Sequence, residues 1–197
     1  MAEIKSTMDL VMERAARIGK ASSEDLQREE AHKQGMQLTA GYLEGTMAGL
    51  AEALGSVNKE MQQEIRTGML ESLLRNIFLP RNDIQRERAE KAGLGIVDLA
   101  GGARDISTTC QGLMQIIQGY IKHRDELRGQ LEEQIKMQYK QLLEQQGGVR
   151  SEELSNIDPT LQPKFQEQWG KLEAELNSRY GEALEQHKAS LKQLLGL

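Results

Sequence analysis

The chain is expected to be all-α, an elongated helical bundle with long antiparallel hairpins and coiled-coil-like packing, and three observations point there. Strand formers are scarce: four valines stand among many Leu, Met, Ala, Glu, Gln and Lys. Straight-chain residues lose little rotamer freedom in a helix, whereas β-branched ones suit pleated sheets. Prolines interrupt the chain at 80, 159 and 163 only, and aromatic residues make up just 4% of it. That is too little bulky volume for a thick core, but enough for narrow seams with one buried stripe per helix.

A first helix is expected from Thr7 to Ile18, capped by Ser6, with Asp9 completing a variant capping box and Gly19 as its stop. Met8, Val11, Met12, Ala15 and Ile18 share one face, so this amphipathic segment should dock on the rest of the molecule or on a partner. Ser22 or Ser23, followed by Glu24 and Asp25, then starts a second helix with acids near its positive end. From Met36 the apolar steps alternate four and three through Ala40, Leu43, Met47, Leu50, Leu54, Val57 and Met61. Such spacing predicts coiled-coil-like packing. Gly55-Ser56 is a candidate bend, and the stripe continues through Ile65, Met69, Leu73 and Ile77 until Pro80 stops it.

Asn82 and Asp83 are expected to cap a short helical piece through Glu90, and the four glycines of GLGIVDLAGGARD to form a tight reversal. A long helix then runs from Ala103 or Arg104 to Gln146. Its stripe is Ile106, Cys110, Leu113, Ile117, Tyr120, Arg124, Leu127, Leu131, Ile135, Tyr139 and Leu142. At 1.5 Å per residue it would extend roughly 65 Å, so something must cover it along its length. After a polar connection, Val149 to Asp158, a proline in the first turn opens the last helix. Its face reads Phe165, Trp169, Leu172, Leu176, Tyr180, Ala183, His187, Leu191 and Leu194, and it should fold back antiparallel on its predecessor. The expected organisation is one domain built from 1–21, 22–80, 81–104 and 105–197.

Charge and motifs narrow the function classes. The net charge is −5 and the pI about 5.4. The densest basic cluster, Arg81, Arg86, Arg88 and Lys91, is interleaved with Asp83, Glu87 and Glu90. Opposite charges at helical spacing can pair with one another, and no concentrated positive footprint remains for nucleic acid. A di-metal carboxylate centre in a bundle needs two Glu-x-x-His motifs, and Glu29 with His32 is the single copy. No nucleophile elbow, phosphate loop or dinucleotide fingerprint occurs. The lone Cys110 leaves no intramolecular disulfide and reads as a small buried hydrophobe. No enzymatic activity, metal or cofactor is expected. The opening residues show no uninterrupted apolar leader, so a cytoplasmic location is expected.

Gly41, Gly45, Gly49 and Ala53 form a small-residue ladder at four-residue spacing on a second face of the heptad helix. Each interior glycine costs up to about 1 kcal/mol relative to alanine, so close helix packing is the expected compensation. Met36, Ala40, Gly41, Leu43, Gly45, Met47, Gly49, Leu50, Leu54, Val57 and Met61 are therefore the candidate helix-packing or oligomer interface. The expected role is that of a non-enzymatic scaffold or adaptor that self-associates, most simply as a dimer, and binds a protein partner. The rival reading is peripheral membrane binding through residues 6–18, with Arg14 and Arg17 on the polar side. A metal-dependent bundle enzyme stands third.

The opening EIKSTMDLVMER resembles the start of uncharacterised bacterial all-helical proteins. The resemblance covers about the first fifteen residues, implies a bacterial origin and assigns no activity to any residue.

Overall fold

The computed structural model describes residues 7–145 and 158–197. The expected cap Ser6 and most of the connection Val149 to Asp158 lie outside the described residues. Six α-helices and no strand occur among those described: α1 Thr7–Glu44, α2 Leu50–Gly55, α3 Gln62–Arg75, α4 Asp83–Leu99, α5 Arg104–Gln145 and α6 Pro163–Leu195. The chain is all-α. It forms two compact units, one of residues through Ile77 with Lys91–Ile106 and Leu197, the other of Phe78–Glu90 with Ser107–Gly196.

In the first unit α1 is longer than its sequence signals suggest. No break occurs at Gly19 or at Ser22-Ser23. A glycine stop needs a left-handed residue after the last turn, and the positive-φ glycines are Gly45, Gly101, Gly102 and Gly196. Left in the right-handed conformation, Gly19 costs only about 1 kcal/mol, which a 38-residue helix absorbs. The true stop is Gly45, with φ of 84°. The Thr46 N–H donates to the Gly41 carbonyl and the Gly45 N–H to that of Tyr42, each at 3.0 Å, which is a Schellman closure. The heptad run 36–61 therefore does not lie on one helix.

α1 and α3 cross at a pair of glycines. A Cβ on Gly35 would collide with the Ile65 carbonyl oxygen and lie 2.9 Å from the Met69 nitrogen, while one on Gly68 would collide with the His32 carbonyl oxygen. Backbone thus rests on backbone in both directions. Beside the crossing, the buried Thr39 hydroxyl lies 3.1 Å from the Gly35 carbonyl and 3.3 Å from that of Met69, sharing its single hydrogen between them. Tyr42, Leu50, Ile65, Met69, Leu73 and Ile77 fill this core, with Ala92, Ile96 and Leu99 of α4 also buried.

The expected reversal at GLGIVDL is instead helical, within α4. Gly95 is needed there because a Cβ would meet Tyr42, Leu73 and Leu50 at 2.9–3.1 Å. The reversal comes later, at Gly101-Gly102.

In the second unit α5 spans 42 residues, or about 63 Å. The Tyr120 hydroxyl donates to Asn177 at 2.8 Å, Arg124 to Glu173 at 3.2 Å and the Tyr139 hydroxyl to Gln162 at 2.8 Å. Numbers rise along α5 as they fall along α6, so the two helices run antiparallel. Leu131, Ile135 and Phe165 form a buried cluster flanked by Tyr139, Trp169 and Leu172. Pro159 opens a 3₁₀ turn capped by Asp158, and Pro163 opens α6.

Candidate interaction surface

The eleven residues of the expected interface are divided between two helices and the links that follow them. Met36, Ala40, Gly41 and Leu43 lie on α1, Leu50 and Leu54 on α2, and the rest in the turns between. Leu50 is fully buried, Gly45 exposed and the other nine half-buried. The ladder Gly41, Gly45 and Gly49 is not a helix-packing stripe. Gly45 closes α1, Gly49 caps α2, and a Cβ on Gly41 would meet the Thr46 hydroxyl of its own turn at 3.0 Å. The glycines that do bring helices together are Gly35, Gly68 and Gly95, none of which belongs to that ladder.

α4 holds the break between α1 and α2 open from the side. The Asp98 carboxylate accepts the Leu50 N–H at 2.8 Å and the Ala51 N–H at 3.0 Å. Gly49 has no side chain to do this, so Asp98 serves as a cap borrowed from another helix. Two turns earlier, Lys91 donates to the Leu43 carbonyl at 3.3 Å and lies over the Tyr42 ring. A cation at the end of α1 and an anion at the start of α2 both suit the helix dipoles. Desolvation raises the Tyr42 hydroxyl above its ordinary range, with the Asp98 charge adding to the effect.

Two surfaces of this unit remain open. On α1, Met8, Val11 and Met12 are 72%, 61% and 66% exposed, and Leu26 is 60% exposed. At 100° per residue Met8, Met12 and Leu26 fall within about 40° of one another, with Val11 alongside. The second surface is a groove of about 640 Å³ between the α1 segment Gln27–Gln34 and the segment Ser56–Ile65. Ala31, Val57, Met61 and Ile65 line it, with Glu30 and Glu60 also on its walls.

Chemistry-bearing residues are committed elsewhere. Glu29 pairs with Lys33 at 2.6 Å, which holds its carboxyl below the usual range, and His32 Nε2 lies 3.3 Å from Glu71. The Glu29–His32 spacing therefore does not gather a ligand set. No group of three or more His, Cys, Asp or Glu side chains suited to a metal occurs among the described residues. Arg81, Arg86 and Arg124 share a smaller cleft with Asp83 and Asp125. Arg86 lies 3.3 Å from Asp83 and Arg124 3.2 Å from Glu173, so two of these three cations are paired with an acid. Cys110 is buried, and desolvation pushes its thiol up to about 11, far from a reactive thiolate at neutral pH. No described helix is long and apolar enough to cross a membrane.

The chain belongs to a family of unknown function, DUF6657, whose model matches residues 51–193. No curated protein and no solved structure matches it.

Proposed function

We propose that this member of DUF6657 is a non-catalytic interaction protein that pairs with a second copy of itself and offers further helix faces to a protein partner. The observation that carries this reading is the exposed apolar side of α1. Isolated surface hydrophobes need no explanation, but Val11 and Met12 stand exposed side by side and Leu26 is exposed on the same side of the helix, and grouped exposed apolar side chains support an interaction site. Fully burying side chains of this size is worth roughly 1.5–3 kcal/mol each. The half-buried Met36, Leu43, Met47, Leu54, Val57 and Met61 extend the available surface.

Size-exclusion chromatography with light scattering tests the pairing. A dimer mass at micromolar concentration is expected, falling to monomer in a Val11→Glu/Met12→Glu variant that keeps its helical circular dichroism. A wild-type monomer at that concentration would end the proposal.

The same exposed residues support a second reading, adsorption to a membrane surface through residues 6–18, with Arg14 also exposed there. Sedimentation with anionic liposomes separates the two. Binding by the full chain that is lost on removing residues 6–18 favours the membrane, whereas equal binding or none removes it.

A further inference from the structure

We infer that residues 45–49 are a latched hinge. Asp98 and Lys91 of α4 hold it bent, with α1 on its own α3. When they release it, α1 and α2 join into one helix and α1 is exchanged with that of a second copy. The exchange does not use the exposed end of α1, so it goes beyond the pairing proposed above.

Two observations carry this, and the first is phase. Residues 45–49 separate α1 from α2 and are not helical, yet the apolar pattern crosses them as if they were. On a helix drawn straight through the break, Leu43, Met47, Leu50 and Leu54 fall within about 60° of one another at 100° per residue. Core burial accounts for apolar residues in a link, but a bent link does not need them at helical intervals.

The second is competition for the same backbone groups. Asp98 accepts the Leu50 and Ala51 N–H groups at 2.8 and 3.0 Å, and Lys91 donates to the Leu43 carbonyl at 3.3 Å. In a straight helix those two N–H groups would donate to the Thr46 and Met47 carbonyls, and the Leu43 carbonyl would accept the Met47 N–H. Latch and straight helix therefore exclude each other. Gly49 contributes no side-chain cap, so the start of α2 depends on Asp98. Gly45 and Gly49 weaken a straight helix, so the latch prevails in the intact chain.

Straightening carries α1 away from its own α3, and the α1 of a second copy fits the place it leaves. The seam between these helices, with Gly35 against the Ile65 carbonyl and Gly68 against that of His32, lies wholly outside the link. A partner's α1 rebuilds it contact for contact, and mutual exchange closes the assembly at two copies.

Cross-linking across that seam tests the inference in the full chain. His32 Nε2 lies 3.3 Å from Glu71, and the native Cys110 is buried. His32→Cys and Glu71→Cys proteins, each also carrying Gly45→Ala and Asp98→Ala, are unfolded in urea, mixed, refolded and treated with a short bismaleimide. Covalent dimers are expected from the mixture and not from either protein alone. Their yield should exceed that of the same pair with an intact latch by about tenfold, the effect of losing one cap. Adding Ala48→Pro, which a straight helix cannot hold, should return the yield to the intact level. A yield that survives the proline would overturn the straight helix. Open-latch proteins that regain their helical circular dichroism but give no more product than the intact pair would overturn the exchange. If those proteins still dimerise by light scattering, the pairing through the end of α1 stands without it. Should the open-latch proteins fail to fold, the intact-latch pair refolded together at rising concentration decides: product that climbs with concentration supports exchange, and none overturns it.

Discussion

Replacing Gly68 by alanine should destabilise the first unit, although alanine is the better helix former. In an unobstructed helix interior the exchange gains about 1 kcal/mol. At this site the added methyl would fall on the His32 carbonyl oxygen and within 3.0–3.2 Å of the His32 carbonyl carbon and Cα. All three neighbours are backbone, so no side chain can swing aside. The crossing must open, and a gap of 0.5–1 Å already forfeits roughly a quarter to a half of each dispersion contact along the seam. Ile65, Met69 and Leu73 would share that loss. Overpacking a filled site costs about 1–3 kcal/mol, which against the propensity gain leaves a net loss of up to about 2 kcal/mol. Gly35→Ala should behave alike. The double variant should lose less than the sum, because the helices part only once. Urea unfolding followed by circular dichroism measures this, with Gly129→Ala and Gly170→Ala as controls in α5 and α6, where a Cβ meets nothing within 4 Å. The controls should gain up to about 1 kcal/mol. If Gly68→Ala and Gly35→Ala also gained, the backbone crossing would be wrong.

Removing the borrowed cap with Asp98→Ala should cost about 1–2 kcal/mol in urea unfolding, while Asp98→Asn, which keeps an acceptor oxygen, should lose less. Gly45→Ala should lower stability by about 1 kcal/mol or more, because it forces a side chain into φ of 84° at the end of α1. Alkaline pH should destabilise the protein. Burial raises the Cys110 thiol to about 11 and the Tyr42 and Tyr120 hydroxyls above their ordinary values, so the unfolded chain ionises first. Stability is then fully present below about pH 9 and declines through pH 11, with Cys110 alone contributing about 2 kcal/mol of loss at pH 10.5. Urea midpoints at pH 8 and 10.5 check this, and Cys110→Ala should flatten the lower part of the decline.

The long-range pattern of α5 and α6 was readable before any coordinates. Ile106, Cys110, Leu113, Ile117, Tyr120, Leu131 and Ile135 are all buried as their spacing implies, whereas Leu142 of the same stripe is exposed, and α5 begins within a residue of its expected start. Apolar periodicity survives in a sequence because each turn reports on burial separately. The first unit was less legible. Its period-3.5 run from Met36 to Met61 continues in phase across a real break, because apolar residues in the turns are needed for the same core. Gly19 and Gly45 look alike as letters. Only the second takes a positive φ, and the bonds that close the helix there, from the Gly45 N–H to the Tyr42 carbonyl and from the Lys91 ammonium to the Leu43 carbonyl, are visible only in the fold.

The same division holds for the candidate surface. Met8, Val11 and Met12 could be placed on one helical face from their spacing, yet whether that face is covered depends on what lies beside it in space. Composition and periodicity determine that this chain is helical and which side of each long helix is apolar, since those are local consequences of backbone geometry and side-chain type; the stop expected at Pro80 came earlier, at Arg75. The crossing of Gly35 with Gly68, the cap from Asp98 and the groove beside Ala31 were decided by tertiary structure. Each joins residues more than twenty positions apart, and no local propensity encodes which distant backbone will arrive.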